Sequence, residues 1–308
     1  DEHLRLADEH TAHFVGREEE GGPLKRIQAY LGDASRLPLL IYGDSGCGKT
    51  ALLARAFKRA APDSNPIIRF IGVTPQSSNI RSLLGNLCLE LRQLETGSDP
   101  FEGRTPGESL TPFQTQPLPT DIHELQQEFR QHLRSASEQQ RPVVLFLDAL
   151  DQLSVADGGL HLSWLPGRSL DPLPAGVKII VSCLSDRHDD DPAARPFAML
   201  RDVLPENQVV ELDALPLDDA RHLLDRWLSG AGRTIGENPN QEKQRSLINE
   251  RLASDKQCRQ PLFLKLLSEE VKLWRSYDEN FHLYEPEQRD QDATKGNAQN
   301  PHRSNAHV

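Results

Sequence analysis

Short, nearly continuous apolar runs alternate along the chain with stretches whose apolar residues recur every three or four positions. The runs cover residues 37–42, 67–73, 143–147, 177–182 and 209–212. Most lack in–out alternation, which predicts strands covered on both faces. Between them, Ile80, Leu83, Leu84, Leu87 and Leu91 share one helical face, as do Ile122, Leu125, Phe129 and Leu133. This alternation predicts right-handed crossovers and a parallel α/β sheet flanked by helices over residues 1–213. After Leu212 only the helical period remains. Asp218 is the expected N-cap of a helix carrying Ala220, Leu223, Leu224, Trp227 and Leu228 and stopping at Gly230. A second helix carries Leu247, Ile248 and Leu252, and a third starts at Pro261 and carries Leu262, Leu266, Val271 and Trp274. The pattern predicts a small helical domain over 214–280. Residues 95–120, rich in Gly, Pro, Ser and Thr, read as a long loop, and 281–308 as a disordered tail.

Composition narrows the possibilities. The 308 residues carry 35 Lys and Arg against 46 Asp and Glu, a net charge of −11, which argues against a nucleic-acid surface. No run approaches the roughly 20 apolar residues of a membrane span. The first residues do not resemble a signal peptide, and the missing initiator Met suggests a piece of something longer. Four cysteines (Cys47, Cys88, Cys183, Cys258) lie far apart with no CxxC pair, which fits a reducing cytoplasm. No fixed-period repeat is present.

The strongest chemical signal is Gly43-Asp44-Ser45-Gly46-Cys47-Gly48-Lys49-Thr50, followed by an apolar helix opening at Ala51. It matches G-x-x-x-x-G-K-[ST] between a strand and a helix, the context of a phosphate-cradling P-loop. Glycines let successive N–H groups face one anion, and the helix N-terminus adds positive potential. Lys49 can reach β- and γ-phosphates, and the Thr50 hydroxyl can ligate Mg²⁺. The run 143–147 ends in Asp148, a second expected Mg²⁺ ligand, and Asp151 could orient or deprotonate an attacking water. Ser182, at the end of another strand, is where a γ-phosphate-sensing side chain would sit. His188 with Asp189, Asp190 and Asp191 reads as a solvated loop rather than a metal site.

Together these motifs resemble the STAND class of P-loop ATPases, relatives of AAA+ proteins. The likeness is to their NACHT-like branch, including the nephrocystin and telomerase-associated types. The resemblance runs over about 14–275. Phe14-Val15-Gly16-Arg17-Glu18, the phosphate loop, Leu147-Asp148-Ala149-Leu150-Asp151, Ile180-Val181-Ser182 and Gln260-Pro261-Leu262-Phe263-Leu264 carry it. It implies a P-loop NTPase sheet followed by a helical domain, with ATP or ADP and Mg²⁺ as cofactors. Val15 and Arg17 would lie near adenine and ribose, and Pro261 against the base. The implied activity is a Mg²⁺-dependent ATPase switch that rests with ADP and assembles with ATP. Effector, sensor or homo-oligomer partners would lie outside this fragment. Three positions depart from related patterns. Ala149 stands where many ATPases place an acid, Gln152 where NACHT sequences often carry Glu, and Leu184 where many STAND members show Arg. These departures favour slow turnover, or a non-hydrolysing assembly module. Two other readings are a DNA-loading ATPase resembling origin-recognition proteins and a small-molecule kinase. Negative charge and the lack of a winged helix count against the first, and an absent arginine-rich lid against the second.

Overall fold

The computed structural model describes residues 2–12, 14–96, 117–168, 171–185, 191–235 and 239–274. The readings of 281–308, of most of 95–120, and of His188, Asp189 and Asp190 fall outside the described residues. Five strands form one parallel sheet: β1 (Leu39–Gly43), β2 (Pro66–Phe70), β3 (Val143–Asp148), β4 (Val177–Leu184) and β5 (Val209–Glu211). Their order is β2-β3-β4-β1-β5. Because β1 lies beside β4 and one strand from β3, the loop leaving β1 opens next to Ser182 and Asp148.

All six residues of β3 and the first seven of β4 are buried, as continuous apolar runs require. The expected second strand is shorter than its apolar run. Ile71 still donates to the Asp148 carbonyl at 3.2 Å, but the chain turns away at Gly72 and leaves Val73 exposed.

Helices α1 (Glu2–Thr11), α2 (Pro23–Gly32) and α3 (Lys49–Arg59) cover one face of the sheet. Leu24, Ile27, Leu52, Leu53 and Phe57 pack there against Ile41 and Phe146. Helices α4 (Ile80–Thr96), α5 (Ile122–Glu138) and α6 (Arg195–Val203) cover the other. The expected apolar stripes of α4 and α5 are the buried ones. Asp121 caps α5 by accepting from His123 N (2.8 Å) and Glu124 N (3.1 Å).

Side chains close both edges of the sheet. On β2, His3 Nδ1 from α1 accepts from the outward Phe70 N–H at 3.2 Å, and Arg69 donates to the Ile68 carbonyl at 2.8 Å. On β5, Arg26 from α2 donates to the Val209 carbonyl at 2.8 Å.

Beyond β5, α7 (Leu217–Gly230), α8 (Pro239–Ser254) and α9 (Pro261–Val271) enclose an apolar cluster of their own that includes Leu223, Leu224, Ile248, Leu252, Leu264 and Leu267. Asp218 is not the N-cap of α7. The helix starts earlier, capped by Pro216, and Asp218 and Asp219 lie in its first turn, where their charges favour the helix dipole. Gly230 does end it, and Pro261 is the first residue of α9.

Candidate functional site

The loop 43–48 leaves the C-terminal end of β1 and enters α3 through Gly48, whose φ of 96° suits glycine and sets the helix N-terminus facing the loop. Lys49, the first residue of α3, turns back over the loop. Its Nζ donates to the Gly43 carbonyl at 2.7 Å and the Asp44 carbonyl at 2.8 Å, with Cys47 Sγ 3.7 Å away. The loop is also folded on itself by Cys47 N donating to Asp44 O at 3.4 Å. Ala51 follows in the first turn of α3, and Ser45 lies at the loop's half-exposed crest.

Asp148 is buried at the end of β3, with the Thr50 hydroxyl near enough to favour its ionised form. Burial pushes the Asp148 carboxyl above its usual range. Hydrogen bonds from Ser182 and Thr50, and the Lys49 charge, oppose that shift. Ser182 Oγ donates to Asp148 Oδ1 at 2.6 Å and accepts from Ala149 N at 2.8 Å. The Ser182 hydroxyl therefore braces the carboxylate and the turn after it. Ala149 sits there at φ 61°, ψ 59°, a left-handed conformation that costs a non-glycine residue about 1–2 kcal/mol. Asp151 is buried two residues on. Its Oδ1 accepts from Leu184 N at 3.0 Å, and its Oδ2 from Gln152 Nε2 at 2.9 Å. Asp151 thus ties the turn after β3 to the end of β4.

The structure brings Lys49, Thr50, Asp148 and Ser182 together. It places the upstream and downstream candidates around the back of the loop. Val15 packs on the apolar cluster of α7–α9. Arg17 is buried, and its Nη2 donates to Cys47 O at 2.7 Å and Asp213 O at 2.8 Å. Burial pulls the Arg17 pKa down from its ordinary value, yet a guanidinium stays charged at any ordinary pH. Helix α9 rests on the loop. Leu262 N donates to Gly46 O at 3.2 Å, and the Pro261 ring lies 3.3 Å from where a Cβ on Gly48 would be. At Gly46 (φ 79°) an added Cβ would come within 2.6 Å of Leu262 Cβ. Glycine is therefore demanded there by the approach of α9 as well as by the loop's curl.

Sequence reasoning missed Leu262 N, Asp213 O and Leu184 N. All three are main-chain groups, which every residue carries, so no residue type announces them. It also missed His10 of α1. The His10 ring lies 5.6 Å from that of Phe70, the β-partner of Asp148, and near enough to favour the ionised carboxylate.

The residues present fit a nucleotide with Mg²⁺. The loop presents a glycine-rich curl and a helix N-terminus, with one ammonium over it. The Thr50 hydroxyl and the Asp148 carboxylate lie near each other at its base. Among the described residues no three His, Cys, Asp or Glu side chains form a metal cage. Mg²⁺ held by one or two protein oxygens, phosphates and water needs none.

The family model of the AAA ATPase domain matches residues 13–181, more than half of the chain, including the phosphate loop, Asp148 and Asp151. The chain belongs to the AAA ATPase domain family. Within that family it is a NACHT-like P-loop ATPase. This AAA ATPase domain is 32% identical over 250 residues to mouse NACHT and WD repeat domain-containing protein 2, with 78% of the chain covered. It is 25% identical over 283 residues to human NACHT domain- and WD repeat-containing protein 1, with 89% covered. The chain spans only 12% and 16% of the lengths of these relatives. Among solved structures, it is similar to a Walker-type ATPase of Pyrococcus abyssi, at a TM-score of 0.46 and 16% identity, covering 84% of this chain and 72% of that one. Domain III of the Thermotoga maritima replication initiation protein DnaA matches at a TM-score of 0.41 and 15% identity, covering 86% and 90%. No described helix is long and apolar enough to cross a membrane.

Proposed function

We propose that this nucleotide-binding ATPase module is the ATP-binding, slowly hydrolysing core of a molecular switch in a longer cytoplasmic signalling protein. It would rest with ADP and assemble with ATP. The observation that carries this reading is the seating of α9 on the phosphate loop through Leu262 N and Gly46 O. One loop faces the nucleotide on one side and bears the α7–α9 cluster on the other, so a change at the phosphates has a direct route to the helices.

In this reading the amides of residues 43–50 and the α3 N-terminus bind the phosphates, and Lys49 moves from the Gly43 and Asp44 carbonyls toward the β- and γ-oxygens. Thr50 and Asp148 would hold Mg²⁺, which when bound supplies neutralisation of the developing phosphate charge. Ser182 keeps Asp148 oriented. Asp151 is committed to Leu184 N and Gln152 Nε2, and Ala149 carries no acid. The constellation therefore has little with which to activate water, and this supports slow turnover. The printed names of the relatives join a NACHT domain to WD repeats. By analogy, effector or sensor segments, or copies of the same domain, are the proposed partners.

Calorimetric titration with MgATP and MgADP tests the reading. Lys49→Ala is expected to abolish tight binding, and unchanged affinity would sink the proposed site. Phosphate release at the buffer background with binding intact would select a non-hydrolysing assembly module instead.

A further inference from the structure

Arg17 stands out among the residues behind the loop. Its backbone is left-handed (φ 63°), directly after Gly16 at φ 73°. Such a conformation is costly for a long side chain and persists where the surroundings impose it. Here it delivers the guanidinium to a buried position against two carbonyls, with no carboxylate among the described residues in hydrogen-bond contact. One carbonyl belongs to Cys47 at the heart of the loop and the other to Asp213, between β5 and α7. The strap around it is wedged tightly, since a Cβ on Gly16 would meet Asp219 Oδ2 of α7 at 2.4 Å.

We infer that Arg17 is a positioning residue for the phosphate loop, acting through the Cys47–Gly48 peptide and not through the nucleotide base. All described peptide bonds are trans, and in a trans peptide the C=O and N–H of one unit point in opposite directions. Holding the Cys47 carbonyl on Arg17 therefore aims the Gly48 N–H the other way, as an oriented donor for a phosphate oxygen. Neighbouring units are pinned by the same logic. Lys49 Nζ holds Gly43 O and Asp44 O, and Leu262 N holds Gly46 O. Lys49 is the group that must leave its carbonyls to meet phosphate, whereas Arg17 can stay. It is a permanent clamp that also ties the loop to the chain entering α7. This inference rests on nucleotide binding at the loop, but it assigns Arg17 a role that adenine contact does not require.

The sequence supplies a selective probe. Cys47-Gly48 is the sole Cys-Gly pair in the chain, so ¹³C′-Cys and ¹⁵N-Gly labelling isolates the Gly48 amide as a single correlation peak. In Arg17→Ala this peak is expected to move or broaden in the free protein. MgADP and MgATP affinities should fall about tenfold together, and added methylguanidine should restore part of the loss. Arg17→Lys, which keeps the charge but not the planar fork, should fall between. If Arg17→Ala does not fold, the same readouts on Arg17→Lys decide. An unmoved Gly48 peak with both affinities within twofold of wild type overturns the inference. So does a loss confined to adenine nucleotides and absent for inorganic triphosphate, which would place Arg17 at the base. Failure of the wild-type chain to bind MgADP would sink the nucleotide reading itself and is read separately.

Discussion

Ser182 Oγ and Asp148 Oδ1 stand 2.6 Å apart on adjacent strands, and the same hydroxyl receives the Ala149 N–H. One small side chain thus satisfies a buried carboxylate and a strained main-chain turn at once. Ser182→Ala removes both bonds and leaves the part-buried Ala149 N–H unsatisfied, at a cost of about 1–3 kcal/mol. Thermal unfolding should show Tm lowered by about 3–8 °C, together with weaker Mg²⁺-dependent nucleotide binding. An unchanged Tm would mean that Ser182 is not a brace.

The contact between the loop and α9 can be tested by sterics. Gly46→Ala places a methyl group 2.6 Å from Leu262 Cβ on a backbone with φ 79°, and should destabilise the protein by about 1–3 kcal/mol. Leu262→Ala alone should matter less, because that side chain is half-exposed. In the double variant only the contacts with Leu262 Cδ2 (3.0 Å) and Cγ (3.4 Å) are removed, because alanine keeps the Cβ, so the relief should be partial and the backbone part should remain. Strict additivity of the two changes in denaturant titration would show that α9 does not sit on the loop in solution.

Asp151 separates two roles. If it orients the attacking water, Asp151→Asn leaves MgATP affinity intact and slows single-turnover hydrolysis tenfold or more. If it is only a tie between β3 and β4, the substitution lowers Tm and scales affinity and rate together, since one of its bonds to Leu184 N and Gln152 Nε2 is lost. Measuring both quantities on one preparation decides between them, and equal rates remove Asp151 from the mechanism.

All four cysteines are buried. Burial raises each thiol pKa, that of Cys88 to about 12. A raised thiol pKa keeps the reactive thiolate scarce below the ordinary value and well above it. At pH 8 a thiol-reactive disulfide reagent should label no cysteine quickly in the folded protein and four in denaturant. Cys47 labelling should slow further with MgADP, because reaction there requires the loop to open. Rapid labelling of one thiol in the native state would contradict the packing described here.

Much of this arrangement could be read in advance, for reasons specific to each part. Strands such as β3 and β4 are buried on both faces and leave continuous apolar runs. The phosphate loop needs particular residue types at fixed spacing, so Lys49, Thr50 and Asp148 could be named from sequence. Helix α1 could not be foreseen, because only Ala7 on it is buried and its polar composition hides any stripe. The apolar pattern overextends the second strand because Ile71 and Val73 continue the run after the chain has turned. Arg17 and Ser182 are candidates in the sequence, but their partners are two carbonyls, an amide and a neighbouring carboxylate that only the folded chain brings together.

The sheet's finished margins bear on where this polypeptide can be cut. Removing the first dozen residues would strip His3 from Phe70 and bare that amide beside β2, leaving Arg69 on the Ile68 carbonyl to blunt an edge open to any extended segment that drifts past. A shortened version trimmed to begin at the strap near Phe14 would keep every phosphate-binding group and still be prone to clump. The modest N-terminal helix therefore works as a hem, and its loss would be noticed first as poor solubility rather than as lost chemistry.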